Sequence, residues 1–324
     1  MDGTLRTADG RCVLRFERHL THPVEKVWRA ITEPDELRHW FPAEVEIEFH
    51  SGGKIRFTQG AAATTGEILE LTLHRVFAFS WDADMLRFEL HPEPGGCSLV
   101  FTHAFDDKYG ASSFASGWHH CLDGLAARLV GQTMDWPTGL GDLHERYVVD
   151  LGLDEGVLRE TGGGYEVRFE RQLIRPVEQV WDFLTGAAEP PAAADASATS
   201  ATSTDRPPAT RPQRGALPPV SFRNDQAPAG SVTVLEPPNV LEYAWLADDV
   251  EAGKVRWELA PGPGGSRLLL TQSVPTAFVD RVPAVLAAWH THVELLAGWL
   301  RGEGRCWPEG RTEELTRHYA STKP

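Results

Sequence analysis

At 324 residues, 41% apolar and with 11 tryptophans, the chain has room for two domains that each bury a core. Its formal net charge of −15 argues against nucleic acid or an anionic membrane as partner, since both call for a basic surface, and no Lys/Arg run interrupts the acidity. No segment approaches the roughly 20 consecutive apolar residues of a membrane span, so no membrane insertion is expected. The opening MDGTLRTADGRC lacks the apolar run of a signal peptide. Cys12, Cys97, Cys121 and Cys306 lie far apart and form no CxxC. They read as free thiols of a cytoplasmic protein.

In chain order, alternation predicts a strand over 12–20, and Pro23 then opens a helix, where its fixed φ and missing N–H are well placed. Val24, Val27, Trp28 and Ile31 recur at helical spacing and make one apolar face. Residues from Pro34 to Trp40 predict a second short helix. Segments 43–50, 53–59, 65–73, 75–82, 85–92 and 97–104 read as strands of a meander, with Gly52-Gly53 and Gly95-Gly96 placed for tight turns. Residues 112–131 form a long helix with Phe114, Trp118, Leu122, Leu125 and Leu129 on one stripe.

The chain then repeats itself. LRFERHLTHPVEKVWRAIT at 14–32 and VRFERQLIRPVEQVWDFLT at 167–185 align without a gap and share 11 of 19 residues. GEILELTLHRVFAFSW (66–81) answers GSVTVLEPPNVLEYAW (230–245), and LRFELHPEPGGCSLVFT (86–102) answers VRWELAPGPGGSRLLLT (255–271). Trp118-His119 answers Trp289-His290, and Trp136-Pro137 answers Trp307-Pro308. A period near 150 residues is domain-sized, far too long for a solenoid. A first domain is therefore expected at 1–155 and a second at 165–324, joined by a Gly-rich linker at 156–164. Inside the second copy, residues 186–219 hold 10 Ala, 7 Pro and 7 Ser/Thr, a composition that predicts a disordered insert. It stands where the first copy has its short helix and Gly-Gly turn. The second copy is thus expected to lack that helix and one or two strands, and to be incomplete or completed by its neighbour.

This order of elements, with the motifs RFERHLTHPVEKVWRAIT, EPDELRHWF, KIRF after the Gly-Gly turn, GEILEL, HRVFAFSW, PGGCSLVFTH and Gly117-Trp118, resembles the SRPBCC (START-like, helix-grip) superfamily. Within it the chain looks most like the bacterial branch of the heat-shock protein 90 ATPase activator homologues. The resemblance covers nearly all of the first copy, and 166–185 and 230–300 of the second. It implies an α+β fold made twice, each a curved antiparallel sheet around a long C-terminal helix, with the second copy partly degenerate. It also implies a cavity between sheet and helix.

Strand alternation puts Phe77, Phe79 and Trp81 on one face, and does the same for Leu86 and Phe88 and for Phe101 and His103. If these faces meet the long helix, they wall a hydrophobic cavity with Phe114 and Trp118, and Trp245, Trp257 and Trp289 do so in the second copy. Packed core aromatics would give the same pattern. Trp40 and Phe41 end the short helix that, by resemblance, borders the cavity mouth, as ligand gate or as helix–sheet seam. His103 lies on the apolar parity of its strand and is the weak catalytic candidate, without an evident orienting partner; a strand-end residue facing solvent is the plainer alternative. His119-His120 and His290/His292 lack the i,i+4 spacing that would aim two imidazoles at one ion, so no metal is expected. His119 and His290 each precede an acid by four residues, Asp123 and Glu294, which predicts surface pairs.

No nucleophile elbow, Walker motif or dinucleotide glycine motif appears, and no cofactor is expected. Three functions stay open. One is binding of a hydrophobic or aromatic small molecule, mainly in the first domain and without catalysis. Another is a polyketide aromatase/cyclase-like or hydrolytic enzyme that works by holding a reactive chain in a shaped cavity. The third is a co-chaperone-like protein-interaction module with a protein partner. The oligomeric state and the ligand's identity are not legible, and the Ala, Gly, Pro and Arg usage points to a bacterial source.

Overall fold

Asp9 and Gly10 turn the chain with positive φ angles of 51° and 80°, the geometry that suits the right-handed twist of a hairpin. They join β1 (Gly3–Ala8) to β2 (Arg11–Leu20), so the first strand of the protein precedes the one expected from alternation. The computed structural model describes residues 3–135, 141–187, 211–303 and 306–321. Trp136 and Pro137, half of the Trp-Pro echo, lie outside the described residues, as do residues 188–210 of the expected insert. The chain divides into two units, Met1–Tyr147 and Val148–Pro324.

In the first unit, α1 (Val24–Thr32) buries Val24, Val27, Trp28 and Ile31, and α2 (Pro34–Leu37) follows after one extended residue, Glu33. Extended backbone there is what the following proline favours. β3 (Glu44–Ile47), β4 (Lys54–Gln59), β5 (Ala62–Thr72), β6 (Val76–Trp81), β7 (Asp84–Glu93) and β8 (Gly96–Phe105) form the meander. With β1 and β2 they make one antiparallel sheet in the order β1-β2-β8-β7-β6-β5-β4-β3. The long helix α3 (Ala111–Leu129) buries Trp118, Leu122, Leu125 and Leu129. The turn after α2 closes on α3 at Gly124, where an added Cβ would stand 3.3 Å from that of Trp40. α4 (Gly141–Asp150) follows, and the unit boundary falls inside it, earlier than residue 155.

The second unit has β9 (Val157–Thr161), β10 (Gly164–Leu173) and α5 (Val177–Leu184), then β11 (Ala229–Glu236), β12 (Val240–Ala247), β13 (Val250–Gly262) and β14 (Gly265–Pro275), and finally α6 (Val282–Leu300) and α7 (Arg311–Ser321). Its sheet runs β11-β12-β13-β14-β10-β9. This is the first sheet without counterparts of β3 and β4, among the described residues.

Residues 156–164 are not a linker. β9 pairs with β10 from Gly164↔Thr161 to Arg168↔Val157, so Gly162-Gly163 are the turn of a hairpin equivalent to β1–β2. The repeat therefore begins earlier than alternation shows, at Gly3 and Gly156. Both glycines are required by packing. A Cβ at Gly156 would meet the Phe169 ring at 2.3 Å, and one at Gly3 the equivalent Phe16 ring at 2.8 Å.

The last residues of the expected insert are ordered too. Gly215 N–H donates to the Val232 carbonyl and Val232 N–H to that of Ala216, which pairs the segment with β11. Beyond it, a 3-10 turn at Val220–Phe222 buries Phe222 completely, against Trp181 and Trp257 at ring separations of 5.8 and 5.3 Å. Tyr243 Oη donates to the Phe222 carbonyl at 2.7 Å, and His292 Nε2 lies 2.9 Å from that of Ser221. The second copy thus fills its core with its own Phe222.

α6 is buried almost all round, whereas an ordinary surface helix shows one apolar stripe. The cause is α7, which covers its outer face.

Candidate functional site

Phe41 stands in the turn between α2 and β3 and is buried among four aromatic rings from three other elements. Its ring lies 6.2 Å from Phe57 on β4, 6.4 Å from Phe79 and 5.5 Å from Trp81 on β6, and 5.7 Å from Trp118 on α3. Trp81 stacks on Phe57 at 4.4 Å and donates its indole N–H to Thr64 Oγ1. Phe88 joins the group through Phe101 at 4.7 Å, and Phe101 through Trp118 at 4.5 Å. Phe77 packs on Phe79 at 4.9 Å. Alternation set these side chains on one face, and the curvature of the sheet brings them to α3 and to Phe41.

Trp40 plays a different part. Its indole donates to the Ala30 carbonyl at 2.9 Å, so it ties the turn after α2 to α1 as a seam. Beside Phe41, the space lined by Ile31, Leu37, Val45, Ile55, Phe57 and Phe88 measures about 10 Å³. That is about the room of a single water molecule.

His103 is 4% exposed and faces inward between Phe105 and Phe114, at ring separations of 4.8 and 4.9 Å, so it is no strand-end residue facing solvent. Trp118 Nε1, which can only donate, lies 3.1 Å from His103 Nδ1. The proton therefore sits on Nε2, which donates to Asp84 Oδ2 at 2.9 Å. Asp84 also lies 3.7 Å from Arg11. Sequence reading missed Asp84, although it shares the parity of Leu86 and Phe88 on β7. Both His103 nitrogens are thus engaged within the protein. In the second copy Trp289 donates to Gln272 Oε1 at 2.6 Å, with glutamine as acceptor in place of histidine. Arg56 is exposed, and Arg87 is held between Glu70 and Glu89, so neither guanidinium enters the aromatic group.

Trp245, Trp257 and Trp289 belong to the core of the second unit, all at most 1% exposed. Trp257 and Trp289 meet edge to face at 5.8 Å, while Trp245 packs on Phe278 and donates to the Ser273 carbonyl.

The long-helix histidines are not simple surface pairs. His119 lies 2.8 Å from Tyr147 Oη, and His290 stands in the same relation to Tyr319, also at 2.8 Å. His290 is 3% exposed because α7 lies over it. α7, which carries Tyr319, and α4, which carries Tyr147, are both elements that sequence reading left out. Burial holds the neighbouring His292 imidazole down to about 4. The second unit also bears an open groove of about 590 Å³ between the start of β9, the first turn of α6 and the end of α7. Val157, Leu158, Val282, Leu286 and Tyr319 are among its lining residues.

Two tandem antiparallel sheets, each with a long helix and an aromatic interior, define an α+β helix-grip architecture. Residues 21–130 match the family model of the Activator of Hsp90 ATPase homolog 1-like protein. The second copy is inferred from the repeated sequence and the matching strand order. Among solved structures, a conserved protein of unknown function from Enterococcus faecalis is 24% identical, with 46% of this chain and 89% of that chain covered and a TM-score of 0.40. CalU16 from Micromonospora echinospora is 22% identical over 46% of this chain and 93% of its own, with a TM-score of 0.39. A protein from Chromobacterium violaceum is 26% identical over 36% and 96%, with a TM-score of 0.31. No match is found among curated proteins. Among the described residues, no helix is long and apolar enough to cross a membrane.

Proposed function

We propose that this protein is a non-catalytic binding protein that takes a hydrophobic or aromatic small molecule between the sheet and α3 of its first domain. The observation that carries this reading is the place of Phe41. It projects from a turn, outside any helix or strand, into a group of Phe57, Phe79, Trp81 and Trp118 that a flat apolar molecule could join. Binding requires Phe41 to yield, because the adjoining space of about 10 Å³ admits no ligand. A ligand ring that replaced Phe41 would recover the same stacking and apolar contacts.

The enzymatic alternative has less support. His103 has no nitrogen left for a substrate proton, and Arg56 and Arg87 lie away from the aromatic group. The filled interior is also what favours the second reading, a protein-interaction module that uses the outside of the fold.

Thermal unfolding and tryptophan fluorescence of the full chain against aromatic polyketides and fatty acids test the proposal. A ligand of the first domain raises Tm, and the shift disappears in Trp118→Ala and persists in Trp289→Ala. Substrate turnover in the same samples moves the case to an enzyme. No shift with any compound, together with a specific co-purifying protein, overturns the proposal in favour of the interaction module.

A further inference from the structure

The second unit gathers two carboxylates and one imidazole at the inner face of α7. His290 Nε2 lies 3.4 Å from Asp154 Oδ2 and 3.5 Å from Glu294 Oε1, and the three candidate ligand atoms all fall within 4.8 Å of one another. The Asp154 side chain is 11% exposed and that of His290 3%. We propose that Asp154, His290 and Glu294 bind a divalent transition-metal ion of the zinc kind.

His290 Nε2 is buried, and the two carboxylate oxygens that face it stand at ion-pair distance without good hydrogen-bond geometry. Charge-assisted hydrogen bonds close to about 2.7–2.9 Å. The separations here are longer, and they suit ligands that share an ion. With metal–oxygen and metal–nitrogen bonds of about 2.0–2.2 Å in a tetrahedron, neighbouring ligand atoms stand about 3.3–3.6 Å apart.

The ring is supported from behind by Tyr319. His290 Nδ1 is 2.8 Å from Tyr319 Oη, which also accepts the Gly156 backbone N–H at 2.9 Å. An Nδ1–H donated to that oxygen leaves the Nε2 lone pair facing the carboxylates, the usual arrangement behind a metal-bound histidine. With that tautomer a metal ion between the lone pair and the two anionic oxygens would take the place that a proton on Nε2 otherwise fills. Arg311 fixes the Glu294 carboxylate with two N–H groups, Nη2 donating to Oε1 at 2.6 Å, the same oxygen that faces His290, and Nε donating to Oε2 at 3.2 Å. Its charge weakens the attraction for the ion, and the second lone pair of Oε1 is what remains for a metal. The 590 Å³ groove runs beside the group, and its lining includes Glu155 and Gly156, which follow Asp154, and Tyr319, which contacts His290.

The first unit provides the control. His119 has its tyrosine and its i+4 acid, Asp123, but the three-ligand group includes no residue of that unit among the described residues.

Calorimetric titration of chelator-treated full-length protein with zinc chloride at neutral pH tests the site, beside His290→Gln, Asp154→Asn and His119→Gln. Each variant is first shown by circular dichroism and by its metal-free Tm to be folded. The expected result is one zinc equivalent for the parent, with affinity at least about tenfold weaker in His290→Gln and Asp154→Asn and unchanged in His119→Gln. Equal titration of the parent and His290→Gln, or no zinc binding by the parent, overturns the proposal and leaves a shared proton as the cation of the group. If only His290→Gln fails to fold, Asp154→Asn decides by the same criterion.

Discussion

The Trp118 indole donates to His103 Nδ1 at 3.1 Å, and this contact decides what His103 can do. It fixes the tautomer, spends one nitrogen and leaves the other to Asp84. His103 is thus the acceptor that a buried indole requires. The second copy meets the same requirement with Gln272. His103→Gln is therefore expected to cost less than about 1 kcal/mol, whereas His103→Leu strands a buried donor and costs about 1–3 kcal/mol. Urea unfolding of the two variants checks this. Equal stabilities would show that the Trp118 contact carries no weight.

Phe222 completes the second core from beyond the insert. Phe222→Ala is expected to destabilise the second unit by about 3–5 kcal/mol, the range for an emptied aromatic site. The near-ultraviolet signal of Trp181 and Trp257 should change with it. A stable variant with unchanged tryptophan signals would mean that the core does not depend on this segment.

The two equivalent glycines permit a graded prediction. An added methyl at Gly156 meets Phe169 at 2.3 Å and Leu286 at 2.8 Å, while at Gly3 it meets Phe16 at 2.8 Å and Tyr147 at 3.2 Å. Gly156→Ala should cost about 1–3 kcal/mol as an overpacked core position, and Gly3→Ala less. Differential scanning calorimetry of both variants reads the order, and a reversed order contradicts it.

Glu242 predicts part of the acid limb. Burial raises its carboxyl, but hydrogen bonds from Lys254, Thr233 and Arg256 together outweigh burial and hold it below its ordinary value. A carboxylate with a depressed folded-state pKa adds stability above its unfolded pKa and loses it as pH falls through the folded value. Stability should therefore drop from about pH 4.3 downward. Glu242→Gln should shrink that drop while lowering stability near neutrality. Urea midpoints between pH 3 and pH 7 measure both, and a parallel pH profile in the variant would remove Glu242 from the account.

The thiols should react in order of burial. Cys306 is exposed, whereas desolvation raises the Cys121 thiol to about 12. In native protein at about pH 8, a disulfide reagent should modify Cys306 first and Cys121 only with unfolding, because the thiolate is the nucleophile. Rapid native labelling of Cys121, located by peptide mapping, would contradict the packing around α3.

The sequence by itself determined the duplication, because two copies of one fold keep the same apolar positions. It also determined the meander and the inward parity of Phe77, Phe79, Phe88 and Phe101, since strand alternation has a fixed period of two. Local pattern could not tell the Gly162-Gly163 hairpin turn from a linker, because glycines suit both. It also could not reveal that Phe222 returns across the insert to the second core, or that α7 buries His290 beside Asp154. Those are contacts between residues far apart in sequence. Only the closing of each sheet on its long helix decides which rings fill the interior and which polar groups must find partners there.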